Sequence, residues 1–517
     1  MRIHLVSPRN PESFWTFDGI LPTLGKRCVF PNLALPTLAG LTPDSYEITL
    51  CDENVEEVDF DVEADVVGIT GFIVHKTRIF ELIEAFRRRG KLVAVGGPYA
   101  TLCPEDFRGK VDVLFLGEAE ETWPRFLADL EAGSWQSEYK AERLPDISHA
   151  PLPRFDLLRI ERYRTMTMQF ARGCPFNCEF CDIIVMYGRK PRAKCVDVAM
   201  AEIESLHRLG VRNVFVVDDN FIGNRKIAKG FLRELVAWQE SHGYPIELFT
   251  EVSLDLAADE ELMELLRAAH FTKLFIGIES PRVDSLNEAR KTQNTRDDML
   301  ASVHRIQQYG LGVDAGMIVG FDADDVTVFD EHYRFIQSAR IPISMTGLLN
   351  ALPKTPLHKR LAAAGRLLAE STGDQFVFTN IVPKRMTRLQ LYEGYRRLLE
   401  RLYEYGSFRR RTIAHILARG KTVRTGIRLE RGELRLVGRF LRDCLLRASP
   451  RRGWLTLSLL LEVGLRKPSR LRDAVSYAIM HKHFYEYVED LSASLERMCT
   501  ALREAPEDAG PVQPSAA

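Results

Sequence analysis

What most constrains this chain is an alternation, made twice over, of short apolar strands with amphipathic helices. Residues 2–7, 46–51, 65–70, 91–95 and 111–116 are short, near-continuous apolar runs, and 76–89 has helical spacing through Ile79, Leu82, Ile83 and Phe86. Strands of that kind separated by helices predict a parallel, doubly wound α/β sheet. A second series starts near Met166. It predicts strands at 166–171, 213–217, 247–250, 273–278, 313–319 and 343–349, with helices over 196–209, 228–239, 260–268 and 297–309. Six such units predict a partial (β/α)6 barrel, whose site would lie where the strands end. The predicted domains are a Rossmann-like sheet at 1–145, a proline-rich linker at 146–165, the barrel at 166–370, a helical domain at 371–503 and a disordered Pro- and Ala-rich tail at 504–517.

In a doubly wound sheet, ligands sit at the carboxyl ends of the strands. Thr70-Gly71, Gly96-Gly97-Pro98 and Gly117-Glu118 stand there. Glycine lets a bulky ligand approach the backbone, and Thr70 can donate a hydrogen bond. Tight turns alone would also explain the glycines. The first strand is not followed by G-x-G-x-x-G, which weakens a dinucleotide reading.

Nine cysteines are present, and three of them fall in one stretch, Gly-Cys-Pro-Phe-Asn-Cys-Glu-Phe-Cys-Asp at 173–182. The first residues read as a strand rather than a signal peptide, and no apolar run reaches the ~18 residues that span a bilayer. A cytoplasmic location is expected, where thiols stay reduced and clustered cysteines suggest metal or redox chemistry. The C-x3-C-x2-C spacing of Cys174, Cys178 and Cys181 suits an iron–sulfur cluster with one iron left open. Zinc is the alternative, with Cys195 or His207 as a fourth ligand, but the spacing is poor for it.

The cysteine loop after a first strand, an aromatic just before its last cysteine, and six βα units together resemble the radical S-adenosylmethionine (SAM) superfamily. The resemblance implies that Cys174, Cys178 and Cys181 hold a [4Fe–4S] cluster whose open iron chelates SAM, and that one electron releases a 5′-deoxyadenosyl radical. It also implies SAM contacts. Phe180 would lie near the adenine, Asp218 and Asp219 near the amino group, and Glu251 and Glu279 at the ribose or methionine end. Gly316 and Ile318, in Gly-Met-Ile-Val-Gly at 316–320, would hold the adenine. The family's acid after that motif falls at Ala323, between Asp322 and Asp324, which leaves its role open.

The upstream sheet then resembles the cobalamin-binding domain often fused ahead of such barrels, with Thr70, Gly71, Gly96, Gly97 and Gly117 around the nucleotide tail. The D-x-H-x-x-G cobalt-ligand loop is absent, and His75 reads as a surface or helix-start residue. The nearest resemblance is to cobalamin-dependent radical SAM proteins with a helical C-terminal domain, among them hopanoid ring methylases. The stretches carrying it lie at 173–192, 217–226, 275–281 and 349–357. It implies methylation of an unactivated carbon, for instance in a polycyclic or isoprenoid lipid, with a flavodoxin- or ferredoxin-type electron donor. A cobalamin-containing cyclase or ring-forming oxidase, and a non-enzymatic sensor, are the competing readings.

The net charge of −1 excludes a polyanion binder as a whole, and no nucleic-acid-binding module is recognisable. Residues 401–452 nonetheless hold 15 Lys and Arg against 4 Asp and Glu, followed by the apolar run 454–465. Such a pair can lie on an anionic membrane face, or it can be an ordinary helical cap. His481 and His483 are expected at the surface.

Overall fold

The computed structural model describes residues 1–423, 431–446 and 450–504. The tail expected to be disordered lies, past Glu504, outside the described residues.

Two six-stranded, all-parallel sheets organise the chain. The first contains β1 (Arg2–Ser7), β2 (Glu47–Asp52), β3 (Val66–Thr70), β4 (Leu92–Gly96), β5 (Val113–Leu116) and β6 (Glu138–Lys140) in the order β2-β1-β3-β4-β5-β6. The order reverses between β1 and β3, which opens a crevice at their carboxyl ends. β6 escapes the sequence reading because it is a short edge strand, Glu-Tyr-Lys, that buries only Tyr139.

The second sheet is delivered by β7 (Met166–Met168). The predicted 166–171 strand breaks after Met168, and Ala171–Arg172 (β8) turns aside to pair antiparallel with β9 (Arg192–Ala193). The sheet continues through β10 (Asn213–Val216), β11 (Glu247–Val252), β12 (Phe271–Glu279), β13 (Gly312–Val319) and β14 (Ser344–Leu348), in the order β14-β13-β12-β11-β10-β7. Alternate residues such as Val214, Val216, Leu248, Leu274 and Ile276 are fully buried in one core with the flanking helices. The residues between them face the concave side. Helix starts follow local chemistry: Asp298 caps Met299–Gln308, and Thr387 with Gln390 forms a capping box on Arg388–Tyr403.

Stretch 146–165 is tied down as it joins the sheets. Phe155 and Tyr163 are buried, and the Tyr163 hydroxyl donates to Asp52 Oδ2 at 2.9 Å.

Beyond the barrel come helices Arg388–Tyr403, Tyr405–Ala418, Arg431–Leu446, Pro450–Arg466 and Leu471–Glu504. They cover the open edge of the half-barrel. On β14, Thr346 O accepts from Tyr395 Oη and Ser344 O from Tyr403 Oη, both at 2.9 Å. His481 and His483 are not at the surface as expected. Their run His-Lys-His-Phe-Tyr looks polar, yet both rings lie inside the bundle, with His481 against Phe408 and His483 stacked on Phe17. His75 is likewise buried, although it does stand at a helix start. Its Nδ1 accepts from Phe72 N, its Nε2 lies 2.9 Å from Asn10 Oδ1, and burial pulls its pKa down to about 4.

Candidate active site at the cysteine loop

The cysteine loop leaves β8 through Gly173, whose φ is 91°. A β-carbon there would press on the carbonyls of Tyr187, Gly188 and Lys190 at 3.0–3.3 Å, so glycine is required twice over. Neighbouring acids pin the loop. Asp218 accepts from Phe170 N at 2.7 Å and Ala171 N at 2.9 Å, and Asp219 accepts from Gly173 N at 2.7 Å. On the far side, Glu179 is gripped by Arg360 at 2.5 and 3.1 Å, and Arg360 also holds Asp322.

Two acids named from the motifs brace backbone here. Both oxygens of Asp218 accept from backbone amides and the side chain is buried, so it braces the loop. Asp324 braces the turn after the glycine motif in the same manner, accepting from Gly320 N, Phe321 N and Ser285 Oγ.

The three thiols of Cys174, Cys178 and Cys181 are close enough to disfavour one another's ionisation. Burial is the larger cause and pushes all three above the ordinary thiol range. Thiolates are stable in such a place only against a cation. Among the described residues no three His, Cys, Asp or Glu side chains converge on a position for a single metal ion. The C-x3-C-x2-C spacing from one short loop suits a multi-iron cluster, whose cysteines bind different irons, better than zinc.

Acids stand around the mouth beyond the thiols. Burial, then Asp219 and Glu279, raises Glu251 to about 7. Burial raises Asp219 to about 6. Glu279, with φ of 67°, pairs with Lys291 Nζ at 2.5 Å. Phe180 packs with Phe321 and Ile318, and a β-carbon on Gly316 would meet the Phe275 ring at 3.1 Å. The structure thus gathers Phe180, Asp219, Glu251, Glu279, Gly316 and Ile318 on the side of the sheet where the cysteines lie.

The crevice of the first sheet opens toward the same place. A cavity of about 470 Å³ is lined by Thr70, Gly71, Gly96, Gly97 and Gly117 at one end and by Arg172, Tyr187 and Asp219 at the other. Gly97 has φ of 90°, and a β-carbon there would collide with Thr70 Oγ1. Gly117 has φ of 84° and opens onto free space. Glu118 crosses between the sheets, binding Arg172 at 2.7 Å and Arg192 at 2.6 Å.

Sequence reasoning missed this bridge and also missed Lys291 and Gln293, which approach Cys178 from a turn more than a hundred residues away. Charged residues flanking the cysteines (Arg172, Glu179) were the available signal for the former.

A model of the radical SAM superfamily matches residues 168–336, and a model described as a domain of unknown function (DUF4070) matches 355–497. An uncharacterized methyltransferase of Synechocystis sp. is 44% identical over 392 residues, 74% of this chain and 73% of that protein. The hopanoid C-2 methylase of Rhodopseudomonas palustris is 34% identical over 384 residues, 73% of each. This chain belongs to the radical SAM methyltransferases. Among solved structures, TsrM from Kitasatospora setae, with cobalamin and a [4Fe–4S] cluster bound, shares the fold: TM-score 0.56, 16% identity, 73% of this chain and 82% of that one. As a radical SAM methyltransferase, the chain uses a [4Fe–4S] cluster and SAM.

Proposed function

We propose that this radical SAM methyltransferase methylates an unactivated carbon of a polycyclic or isoprenoid lipid, with cobalamin held by the first sheet. The observation that carries the substrate class is the inner wall of the half-barrel. Phe215, Phe249 and Phe275 occupy concave-facing positions of β10, β11 and β12, and all three remain half-buried. Phe215 and Phe249 stack at 4.3 Å with planes 4° apart, Phe30 adjoins Phe215 at 5.6 Å, and Trp15 adjoins Phe275 at 5.5 Å. Aromatic faces left open inside a concave wall favour an apolar, flat guest. The likeness to the hopanoid C-2 methylase supports the same class.

When bound, the cluster and SAM supply a radical able to remove a hydrogen atom from carbon, and cobalamin supplies a methyl group. The chain's own residues do the rest. Cys174, Cys178 and Cys181 would hold the cluster. Glu251 and Glu279 would accept hydrogen bonds from SAM, Asp219 would accept one beside the loop it braces, and Phe180, Gly316 and Ile318 would frame an apolar base. Thr70, Gly71, Gly96, Gly97 and Gly117 would cradle the cobalamin tail, since all five line the cavity and a β-carbon at Gly117 would stand in open space. The phenylalanine wall excludes water from the reacting carbon.

Arg189 and Lys190, exposed beside the cysteine loop, suit an acidic flavodoxin- or ferredoxin-type electron donor. Trp454, Leu461 and Leu465 on helix Pro450–Arg466 are 63%, 57% and 85% exposed, in a region rich in arginine. That face would let the protein rest on an anionic membrane and reach its substrate there.

The test is anaerobic incubation of reconstituted enzyme with a membrane lipid extract and SAM labelled on its methyl group. Label in the neutral polycyclic lipid fraction, with S-adenosylhomocysteine and 5′-deoxyadenosine both formed, is expected. Deoxyadenosine without S-adenosylhomocysteine would refute methyl transfer, and label confined to polar metabolites would refute the lipid.

A further inference from the structure

We infer that Asn220 and Gln293 set the reduction potential of the cluster by donating hydrogen bonds to two of its three cysteine sulfurs. Asn220 Nδ2 lies 4.0 Å from Cys174 Sγ, and Gln293 Nε2 lies 3.7 Å from Cys178 Sγ. The two amides arrive from separate elements, Asn220 from the loop after β10 and Gln293 from the short helical turn Thr292–Asn294. Each residue is only 5% exposed.

Asn220 Nδ2 also donates to Ser253 Oγ at 3.1 Å, so one of its two N–H groups serves that hydroxyl and the other is left for the sulfur, while the amide oxygens of both residues go unserved. Asn220 Oδ1 and Gln293 Oε1 are both buried with no hydrogen-bond partner. Leaving such an oxygen unpaired costs about 1–3 kcal/mol. What each amide gains in exchange is an N–H aimed at sulfur. Toward a neutral thiol that is a weak contact, but toward an iron-bound thiolate it is charge-assisted and stronger.

The loop's own backbone already serves the sulfurs, with Phe176 N–H reaching Cys174 and Ile183 N–H reaching Cys181. Those donors come with the shape of the loop. Asn220 and Gln293 are side-chain donors added to it, so their effect can be changed by substitution without redrawing the loop. Lys291 works in the same sense. Its ammonium is buried against Glu279, and its positive charge is felt at Cys178. N–H groups and positive charge at the ligand sulfurs favour the more negative, reduced cluster, and so raise its potential.

The inference rests on the cluster and is independent of the substrate. It is tested on reconstituted protein without SAM or substrate, by potentiometric titration followed by electron paramagnetic resonance. Asn220→Leu and Gln293→Met keep side-chain size and remove the donor. Each is expected to hold as much iron and sulfide as wild type. At a fixed potential, the reduced-to-oxidised ratio should fall roughly tenfold, which is a shift of about 59 mV to the negative for one electron. Gln293→Glu, which keeps length and shape without the N–H, is the second variant and should shift the same way. Potentials equal to wild type with cluster content intact would overturn the inference, as would loss of the cluster from all three variants. Because cluster content is measured separately, failure of the cluster assignment would show as absent iron in the wild type.

Discussion

A carboxyl group enclosed among other carboxyls keeps its proton longer than one in water, and Glu251 is in that position. Its folded value of about 7 lies above the ordinary 4.5 because of burial first, then Asp219 and Glu279. Between those pH values the folded chain holds a proton that the unfolded chain has released. Stability therefore falls as pH rises through that window, by about 3 kcal/mol at most from this group. Asp219 and Asp218, raised to about 6 and about 8, act in the same direction. The melting temperature of ligand-free protein should drop between pH 5 and pH 8, and Glu251→Gln should flatten part of that drop. Superimposable profiles for variant and wild type would show that the carboxyl is unperturbed. This residue was legible in advance as a strand-end acid. Gln293 and Lys291 were not, since polar residues in a short turn carry no periodic signal and their partners are remote in sequence. The backbone-bracing part of Asp218 was hidden for a related reason. A carboxylate at a strand end looks the same in sequence whether it faces a ligand or caps a neighbouring backbone.

Elements here are held by close approach as much as by propensity. Helix Arg388–Tyr403 lies against helix Val328–Ser338, and the contact is made at Gly394. A β-carbon on Gly394 would fall within the Phe329 ring. Replacing a helical glycine with alanine ordinarily stabilises by about 1 kcal/mol. At this position the sign should reverse. Gly394→Ala should destabilise by about 1–3 kcal/mol through overpacking, and Phe329→Leu in the same chain should recover part of the loss, as read by denaturant midpoints. If Gly394→Ala raised the midpoint, the close contact would not exist. Most strands could be placed from the sequence because apolar runs buried on both faces are hard to mistake. β6 was invisible because an edge strand needs only one buried residue, and the break between β7 and β8 because it depends on Asp218 reaching back across the sheet.

At the scale of the whole molecule, three regions adjoin. The glycine-lined crevice and the strand that delivers the cysteine loop border one cavity, with Glu118 holding them in register through Arg172 and Arg192, and Phe30 of that cavity's lining reaches Phe215 of the phenylalanine wall. The proposed membrane face lies on the helical region instead. Among the described residues no helix is long and apolar enough to cross a bilayer. Full-length protein should sediment with vesicles containing anionic phospholipid and not with purely zwitterionic ones. Trp454→Ser combined with Leu461→Ser and Leu465→Ser should reduce the bound fraction several-fold while leaving the melting temperature within a few degrees. Equal binding by this variant would remove the helix from the membrane proposal.

Tyr395 and Tyr403 seal β14 from positions 49 and 59 residues downstream of the carbonyls they satisfy. An exposed parallel edge is a template for another chain. Any lineage that recombined a foreign helical region onto this barrel without those two phenols would create a sticky margin. Barrel and helices are therefore expected to be inherited as a unit, and grafting a different helical region would have to carry both tyrosines with it.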